Sequence, residues 1–342
     1  MRKRVTIKDI GAEVGVSWTT VSRVLTGGSF SERISPETKE RILAAAARLG
    51  YTPNPSGVAL KRGYTYSIAL LAVNWDIATA HSRAVTRLTQ VTRAQGLSTT
   101  IYVASDDTEG QLLVESIRHA VPYGLVLMWD SVDVPIEELA AARSDGLPIV
   151  DLMPPLPGGP VSVTWDRKQG FQIGVKHLTD LGHRKIAIIR PAFSGMRTTS
   201  TKLEGYQLGL AEAGIPYDES LVLDVEGDGF EDGYSGLNSV LERRPDVTAI
   251  MCMDDQVAAG VVAAARDRGL AVPADLSVMG YGARVGWHLI PPRLTTLAAR
   301  ATPIVEKSVE YIKKMREDPD FVPEPVCVPM VLVIGGSTGP AP

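Results

Sequence analysis

Through the first sixty residues, apolar positions recur at helical spacing and are interrupted by cap signals at short intervals. Thr6-Ile7-Lys8-Asp9 reads as a capping box, with the Thr6 hydroxyl placed for an orphan N–H and Asp9 placed to reach back. Ile7, Ile10, Gly11 and Val14 then share one face, and Gly15 supplies the left-handed residue that stops the helix. Ser17 opens a second helix as its N-cap. There Val21, Val24 and Leu25 lie on one side, Thr19, Ser22, Arg23 and Thr26 point the other way, and Trp18 stands on the border. A third helix starts at Ser35 with Pro36 at its first position, turns Ile42, Leu43, Ala46 and Leu49 inward, and stops at Gly50. Pro53 and Pro55 break its continuation. Ser56 to Arg62 offers at most one or two further turns, well short of the roughly 12 to 15 residues an isolated helix needs in water. Such a segment folds only with a partner.

From Tyr66 onward the pattern changes to apolar, β-branched runs alternating with amphipathic helices. The runs are Ile68 to Val73, Thr100 to Val103, Leu125 to Leu127, Ile149 to Leu152, Ile186 to Ile189, Ala249 to Met253 and Leu276 to Met279. The intervening stretches, such as Ala84 to Gly96, Gly170 to Leu181, Lys202 to Gly214 and Gln256 to Gly269, are long enough for right-handed crossovers. Two doubly wound units fit the remaining length. The predicted fold is an N-terminal all-α helix-turn-helix domain plus an α/β core of two parallel-sheet lobes, with any ligand at the carboxyl ends of the strands.

Charge sharpens this division. Of 35 Lys and Arg and 39 Asp and Glu, residues 1–62 hold eleven basic and five acidic, a balance of +6, which leaves −10 for the rest. A basic arm on an acidic body suits a polyanion-binding module fused to a non-binding domain, and the same charge also fits a solvated face. Two short helices around a Gly-containing turn, the second exposing polar residues near its start, is the arrangement that enters a DNA major groove; by pattern alone it also fits a protein-docking module.

Other chemistries find little support. Cys252 and Cys327 sit in apolar runs without metal spacing and read as small core residues, so neither metal nor disulfide is expected. Gly227-Asp228-Gly229 with Gly233 has the wrong spacing for a dinucleotide fingerprint, and Gly233-Tyr234-Ser235-Gly236 fails as a nucleophile elbow. An NAD-dependent enzyme is the rival reading, and no catalytic residue or cofactor is predicted. His183 has no readable nucleophile nearby and is expected to order a turn. No stretch approaches the roughly 18 apolar residues of a membrane span, and Met1-Arg2-Lys3-Arg4 leads into polar helix, so a cytoplasmic protein without membrane contact is expected rather than an exported solute-binding protein.

The ordered string Thr6-Ile7-Lys8-Asp9-Ile10, Gly15-Val16-Ser17, Thr20-Val21-Ser22-Arg23-Val24-Leu25 and Leu49-Gly50-Tyr51-Thr52-Pro53-Asn54 closely resembles the N-terminal signature of the LacI/GalR family of bacterial repressors. The core resembles the family as well, through Asp166 with Gly170, Leu181-Gly182-His183-Arg184-Lys185-Ile186, Gly205-Tyr206, Asp255, Val272 to Tyr281, and Pro292 with Leu294-Thr295-Thr296. The resemblance implies a helix-turn-helix over residues 1–52, a hinge over 53–64 and a periplasmic-binding-protein-like core over 65–338. Within that core it implies an N-lobe of 65–164 and 298–326 and a C-lobe of 165–297 and 327–338. It further implies a homodimer on a palindromic operator in double-stranded DNA, with affinity set by a small effector, a sugar or sugar-like metabolite, bound between the lobes.

Residue by residue, the resemblance puts Trp18, Thr19 and Arg23 at base-reading positions, with Thr6, Ser17, Thr20, Ser22, Thr26 and Asn54 in the same DNA-facing set. Arg23 can pair bidentately with guanine, while Trp18 can pack on thymine methyls or cover the edge of the small core. In the hinge, Leu60 matches the residue that wedges into a minor-groove step, and Lys61 follows for phosphate contact; the bland alternative is a linker with an incidental leucine. Ligand positions, from strand ends and the family pattern, are Asn74, Trp75, Asp76, Asp130, Trp165, Arg197, Lys202, Asp254 and Asp255. Trp75 and Trp165 can stack on a ligand ring or belong to the core.

Several positions depart from the family. Gly11 and Val14 stand where alanine is usual, and Gly57-Val58 replaces the common Ala-Arg pair. Lys202 replaces a ligand-holding arginine, Asp254 an asparagine, and Gly282-Ala283 an aspartate pair. A lysine cannot form the bidentate fork, which argues against a standard monosaccharide effector.

Overall fold

Helix α1 (Ile7–Val14) begins where the Thr6 side chain accepts from Asp9 N and the Asp9 carboxylate accepts from Thr6 N at 2.8 Å. It ends at Gly15, whose φ of 75° is the left-handed conformation expected of a glycine stop. The computed structural model describes residues 5–26, 34–51, 59, 62–73, 82–192, 196–283 and 291–342. They form two compact units, Met1–Tyr66 and Ser67–Pro342.

In the first unit, α2 (Trp18–Thr26) is capped by Ser17 Oγ, which accepts from Thr20 N at 3.2 Å. Helix α3 (Pro36–Arg48) is capped by Ser35 Oγ, which accepts from Thr38 N at 3.3 Å. The three helices close over Ile10, Val14, Val21, Ile42, Ala45 and Ala46, with Val24, Leu25, Leu49 and Tyr51 at the margin. Leu43 is not part of this core and is 52% exposed. The inward row runs through 42, 45, 46 and 49, and Leu43 sits about 100° off it on the helical wheel.

The second unit contains two six-stranded sheets. Strands β1 (Ser67–Val73), β2 (Ser98–Ala104), β3 (Gly124–Trp129), β4 (Ile149–Asp151) and β5 (Val161–Asp166) belong to the first, joined late in the chain by β11 (Val326–Pro329), in the order β11-β5-β4-β3-β1-β2. Strands β6 (Ile186–Pro191), β7 (Val222–Val225), β8 (Ala249–Cys252), β9 (Ser277–Gly282), β10 (Thr295–Ala298) and β12 (Val331–Val333) make the second, ordered β12-β10-β9-β8-β6-β7. Among the described residues every strand pair is parallel except β10 with β12, so the predicted parallel-sheet lobe carries one antiparallel edge strand. The final strand returns directly from the other sheet, without a crossover helix to restore direction.

Helices α4 (Ser82–Ala94), α5 (Asp107–Ala120), α6 (Ile136–Ser144) and α11 (Ala301–Glu317) pack on the first sheet's side, and α7 (Arg167–Asp180), α8 (Arg197–Glu212), α9 (Phe230–Arg243) and α10 (Asp255–Asp267) on the second's. The chain changes lobe after Asp166, after Ala298 and at Met330. The last change falls beyond the predicted boundary at 326, because β11 pairs with β5 through Pro329. An unbroken run, Val326-Cys327-Val328-Pro329-Met330-Val331-Leu332-Val333, hides from the pattern which sheet takes which half.

Two further corrections follow from the edges. Cys327 is exposed rather than a core residue, since β11 is the edge strand and alternation turns that side chain outward; Cys252, on central β8, is buried as expected. The tail is ordered past 338. His183, fully buried, contacts Thr248 Oγ1 through Nδ1 at 2.9 Å and Ser277 Oγ and Gly339 O through Nε2 at 3.0 Å each. Its role is to join the turn before β6, the start of β9 and the C-terminal tail.

Candidate functional site

On the first unit, α2 carries a wet row. Trp18, Thr19 and Arg23 are exposed, as is Ser17 before them, while Thr20 and Ser22 are half-buried. Ser17 Oγ lies 2.6 Å from Thr19 Oγ1 and 2.9 Å from Thr20 Oγ1, so the three hydroxyls hold one another in place at the helix start. The small core is built without Trp18, which retains 52% of its surface in solvent. Thr6 is exposed at the start of α1, engaged with Asp9. The Thr26 side chain and residues Asn54, Leu60 and Lys61 lie outside the described residues.

Gly11 explains how α1 and α2 come so close. A Cβ there would stand 2.8 Å from Val16 O, in the turn whose Gly15 N and Val16 N both donate to Gly11 O. The departure from alanine at Gly11 therefore goes with a tight turn between α1 and α2.

Between the lobes of the second unit, several predicted ligand residues meet. Asp130, just past β3, accepts from Thr198 N at 2.9 Å and from the Thr198 hydroxyl. Beside it Arg197, at the start of α8, donates to Asp151 Oδ2 at 2.8 Å and to the carbonyls of Trp129 and Pro154. Asp151, at the end of β4, is fully enclosed; burial pushes its carboxyl up to about 6 while Arg197 pulls it down. Arg197 is thus spent on the opposite lobe.

The remaining residues surround the ends of β5 and β9. Trp165 is 3% exposed and belongs to the core, its Nε1 donating to Arg300 O at 2.9 Å. Lys202 Nζ lies 4.3 Å from the Tyr281 ring centroid and donates to Met253 O at 3.3 Å. Asp254 caps α10 through Gln256 N at 2.8 Å, and Asp255 accepts from the Thr296 hydroxyl at 2.6 Å. Asn74, Trp75 and Asp76 lie outside the described residues.

Sequence reasoning missed Asp151, Arg167 and Tyr281. Arg167, first residue of α7, is 1% exposed, with its guanidinium 5.3 Å from the Trp165 ring. It had one readable signal: a cation at a helix start, where the dipole opposes it, behind the Asp166 cap. The glycine cluster has a structural explanation. Gly227 N and Gly229 N both donate to the Asp232 carboxylate, at 2.9 and 3.0 Å, which fills the place a phosphate would need. Gly233 lets α9 approach α10, since a Cβ there would stand 1.9 Å from Val257 O.

Comparison with known proteins matches residues 6–54 to the family model described as bacterial regulatory proteins, lacI family, and residues 175–338 to a periplasmic binding protein-like domain. The chain is 30% identical to the HTH-type transcriptional regulator DegA of Bacillus subtilis, over 98% of this chain and 99% of that one. It is 28% identical to a probable HTH-type transcriptional repressor, ExuR, of the same organism, over 94% and 95% of the two chains. Among solved structures, a lac repressor dimer bound to operator and the anti-inducer ONPF matches with a TM-score of 0.84 at 26% identity, covering 98% of this chain and all of that one.

Proposed function

The chain belongs to the lacI family of bacterial regulatory proteins, and on that premise we propose that it represses transcription as a homodimer on a palindromic operator, released or recruited by a small effector held between its lobes. Each protomer presents α2 to a major groove. Arg23 reads guanine, Thr19 and Trp18 pack on base edges, and Ser17, Thr20 and Ser22 serve phosphates and groove edges. The hinge, with Leu60 and Lys61, folds against its dimer mate in the minor groove. Among the described residues no helix is long and apolar enough to cross a membrane, and we place the protein in the cytoplasm.

The observation that carries this reading is the row on α2: three exposed side chains able to contact bases, one of them Arg23, behind a fully formed cap. Its setting in a basic segment on an acidic body supplies the long-range attraction that DNA requires. The effector works by population shift, binding one lobe orientation better than the other and so changing the spacing of the paired hinges.

The test is selection from a randomised duplex library with the full-length protein, followed by binding to the recovered sequence at several salt concentrations. A two-fold-symmetric consensus and a steep fall in affinity with salt are expected. Failure to enrich any sequence, with and without candidate metabolites, overturns the regulator reading.

A further inference from the structure

A buried arginine is normally neutralised by a carboxylate. Arg197 follows that rule through Asp151, whereas Arg167 does not. Arg167 is 1% exposed and forms no ion pair with any described residue, and its Nε, like that of Arg197, is buried without a hydrogen-bond partner. Its hydrogen bonds go to Thr164 Oγ1 at 2.7 Å and weakly to Trp165 O at 3.5 Å, both neutral acceptors. Trp165 holds the guanidinium from one side, and Trp165 is itself fixed by Arg300 O at the second lobe crossing.

A second cation approaches the same place. Arg167 acts on the Tyr281 hydroxyl, and Lys202 Nζ lies 4.3 Å from the centre of the same ring. Two carboxylates, Asp130 and Asp254, also lie near Tyr281; Asp130 accepts from Thr198 and Asp254 caps α10, and neither forms an ion pair with Arg167. Arg167 also stands at the first position of α7, where the backbone amides attract anions and repel a cation. Burial, the helix dipole and the lack of a carboxylate within ion-pair distance among the described residues all weigh against a guanidinium whose only task is packing.

We infer that the effector of this protein carries an anionic group, a carboxylate or a phosphate, that binds between the lobes against Arg167 and Lys202. This rests on the reading of the inter-lobe cleft as the effector site and narrows it. The planar fork of Arg167 supplies the directional contact, Lys202 supplies a point charge, and the lobes part to admit the ligand. The family arginine replaced by Lys202 is compensated from another strand end.

The experiment uses the full-length protein and matched probes: D-glucose, D-galactose and D-ribose, the uronates of the two hexoses, and the terminal phosphates of all three. Binding is followed by calorimetry and by thermal shift at constant ionic strength. The inference predicts that charged members bind and their neutral parents do not. It further predicts that Arg167→Met weakens the charged ligand at least tenfold without lowering the melting temperature of the ligand-free protein. Arg167→Lys, which keeps charge but not the fork, should fall between and serves if the methionine variant does not fold. Preference for uronate or phosphate identifies the anion. Equal binding of a neutral parent, unchanged in Arg167→Met, overturns the anionic inference and leaves the effector cleft standing. If no member of any series binds, the cleft reading itself falls, and this inference with it.

Discussion

Arg197 Nη1 donates to Asp151 Oδ2 at 2.8 Å from one lobe to the other, and the two side chains retain only 4% and 3% of their surface. Removing one partner of a buried pair leaves an uncompensated charge, which costs about 3–5 kcal/mol. Arg197→Met is expected to lose stability of that order in urea unfolding, and Asp151→Asn somewhat less, since the amide can still accept. The double variant should recover part of the loss, limited by the orphaned carbonyls of Trp129 and Pro154.

The same pair sets a pH signature. Asp151 is raised from 3.8 to about 6, so the folded protein keeps this proton where the unfolded chain releases it. That contribution to stability is present below 3.8 and is lost as pH rises through 6. Without Arg197 the carboxyl rises further. The deficit of Arg197→Met against the native chain is therefore expected to shrink as pH is lowered from 7.5 to 5.5, measured by unfolding at each pH.

His183 titrates in the opposite sense. Burial lowers its pKa below the ordinary 6.5, so the unfolded chain takes up a proton in acid that the folded one refuses. Its stabilisation is full above 6.5 and declines as pH falls. Because Asp151 pulls the other way in this window, the informative quantity is the stability difference between the native chain and His183→Gln. That difference is expected to be largest at pH 7.5 and smaller at 5.5; a constant difference refutes the assignment.

What could be read from the sequence divides by distance along the chain. The Thr6 and Ser35 caps, the Gly15 stop and the alternation of strands and helices are local, and each stands where the pattern puts it. Leu43 and Cys327 were misplaced because apolar character does not say which side of a helix or which sheet edge a residue occupies. Of the candidate site residues, Asp130 just past β3, Arg197 at the start of α8 and Lys202 in its second turn are legible from strand ends and the family pattern. Asp151 and Arg167 are not, since Asp151 matters through an ion pair across the cleft and Arg167 through the lack of one among the described residues, and neither is written in local spacing.

Gly11→Ala tests the tight turn. Alanine gains up to about 1 kcal/mol in helix propensity, yet its Cβ would meet the Val16 carbonyl at 2.8 Å, and overpacking against backbone costs about 1–3 kcal/mol. A net destabilisation of the N-terminal unit is expected, visible as faster amide exchange in α1 and α2 of the full-length protein, with exchange in the core unchanged.

Arg23 and Trp18 separate specificity from general affinity. A bidentate arginine–guanine contact discriminates by about 1–3 kcal/mol, so Arg23→Ala should weaken the selected operator roughly 5- to 150-fold and relax preference at one base pair per half-site. Trp18 lies outside the small core, so Trp18→Ala should leave unfolding within about 0.5 kcal/mol of the native chain while changing preference at a neighbouring pair. Both follow from side chains that face water in the unbound protein. Repeating the library selection with each variant checks them together. A consensus unchanged in both would mean that α2 does not read the bases, and a stability loss above 2 kcal/mol in Trp18→Ala would return that ring to the core.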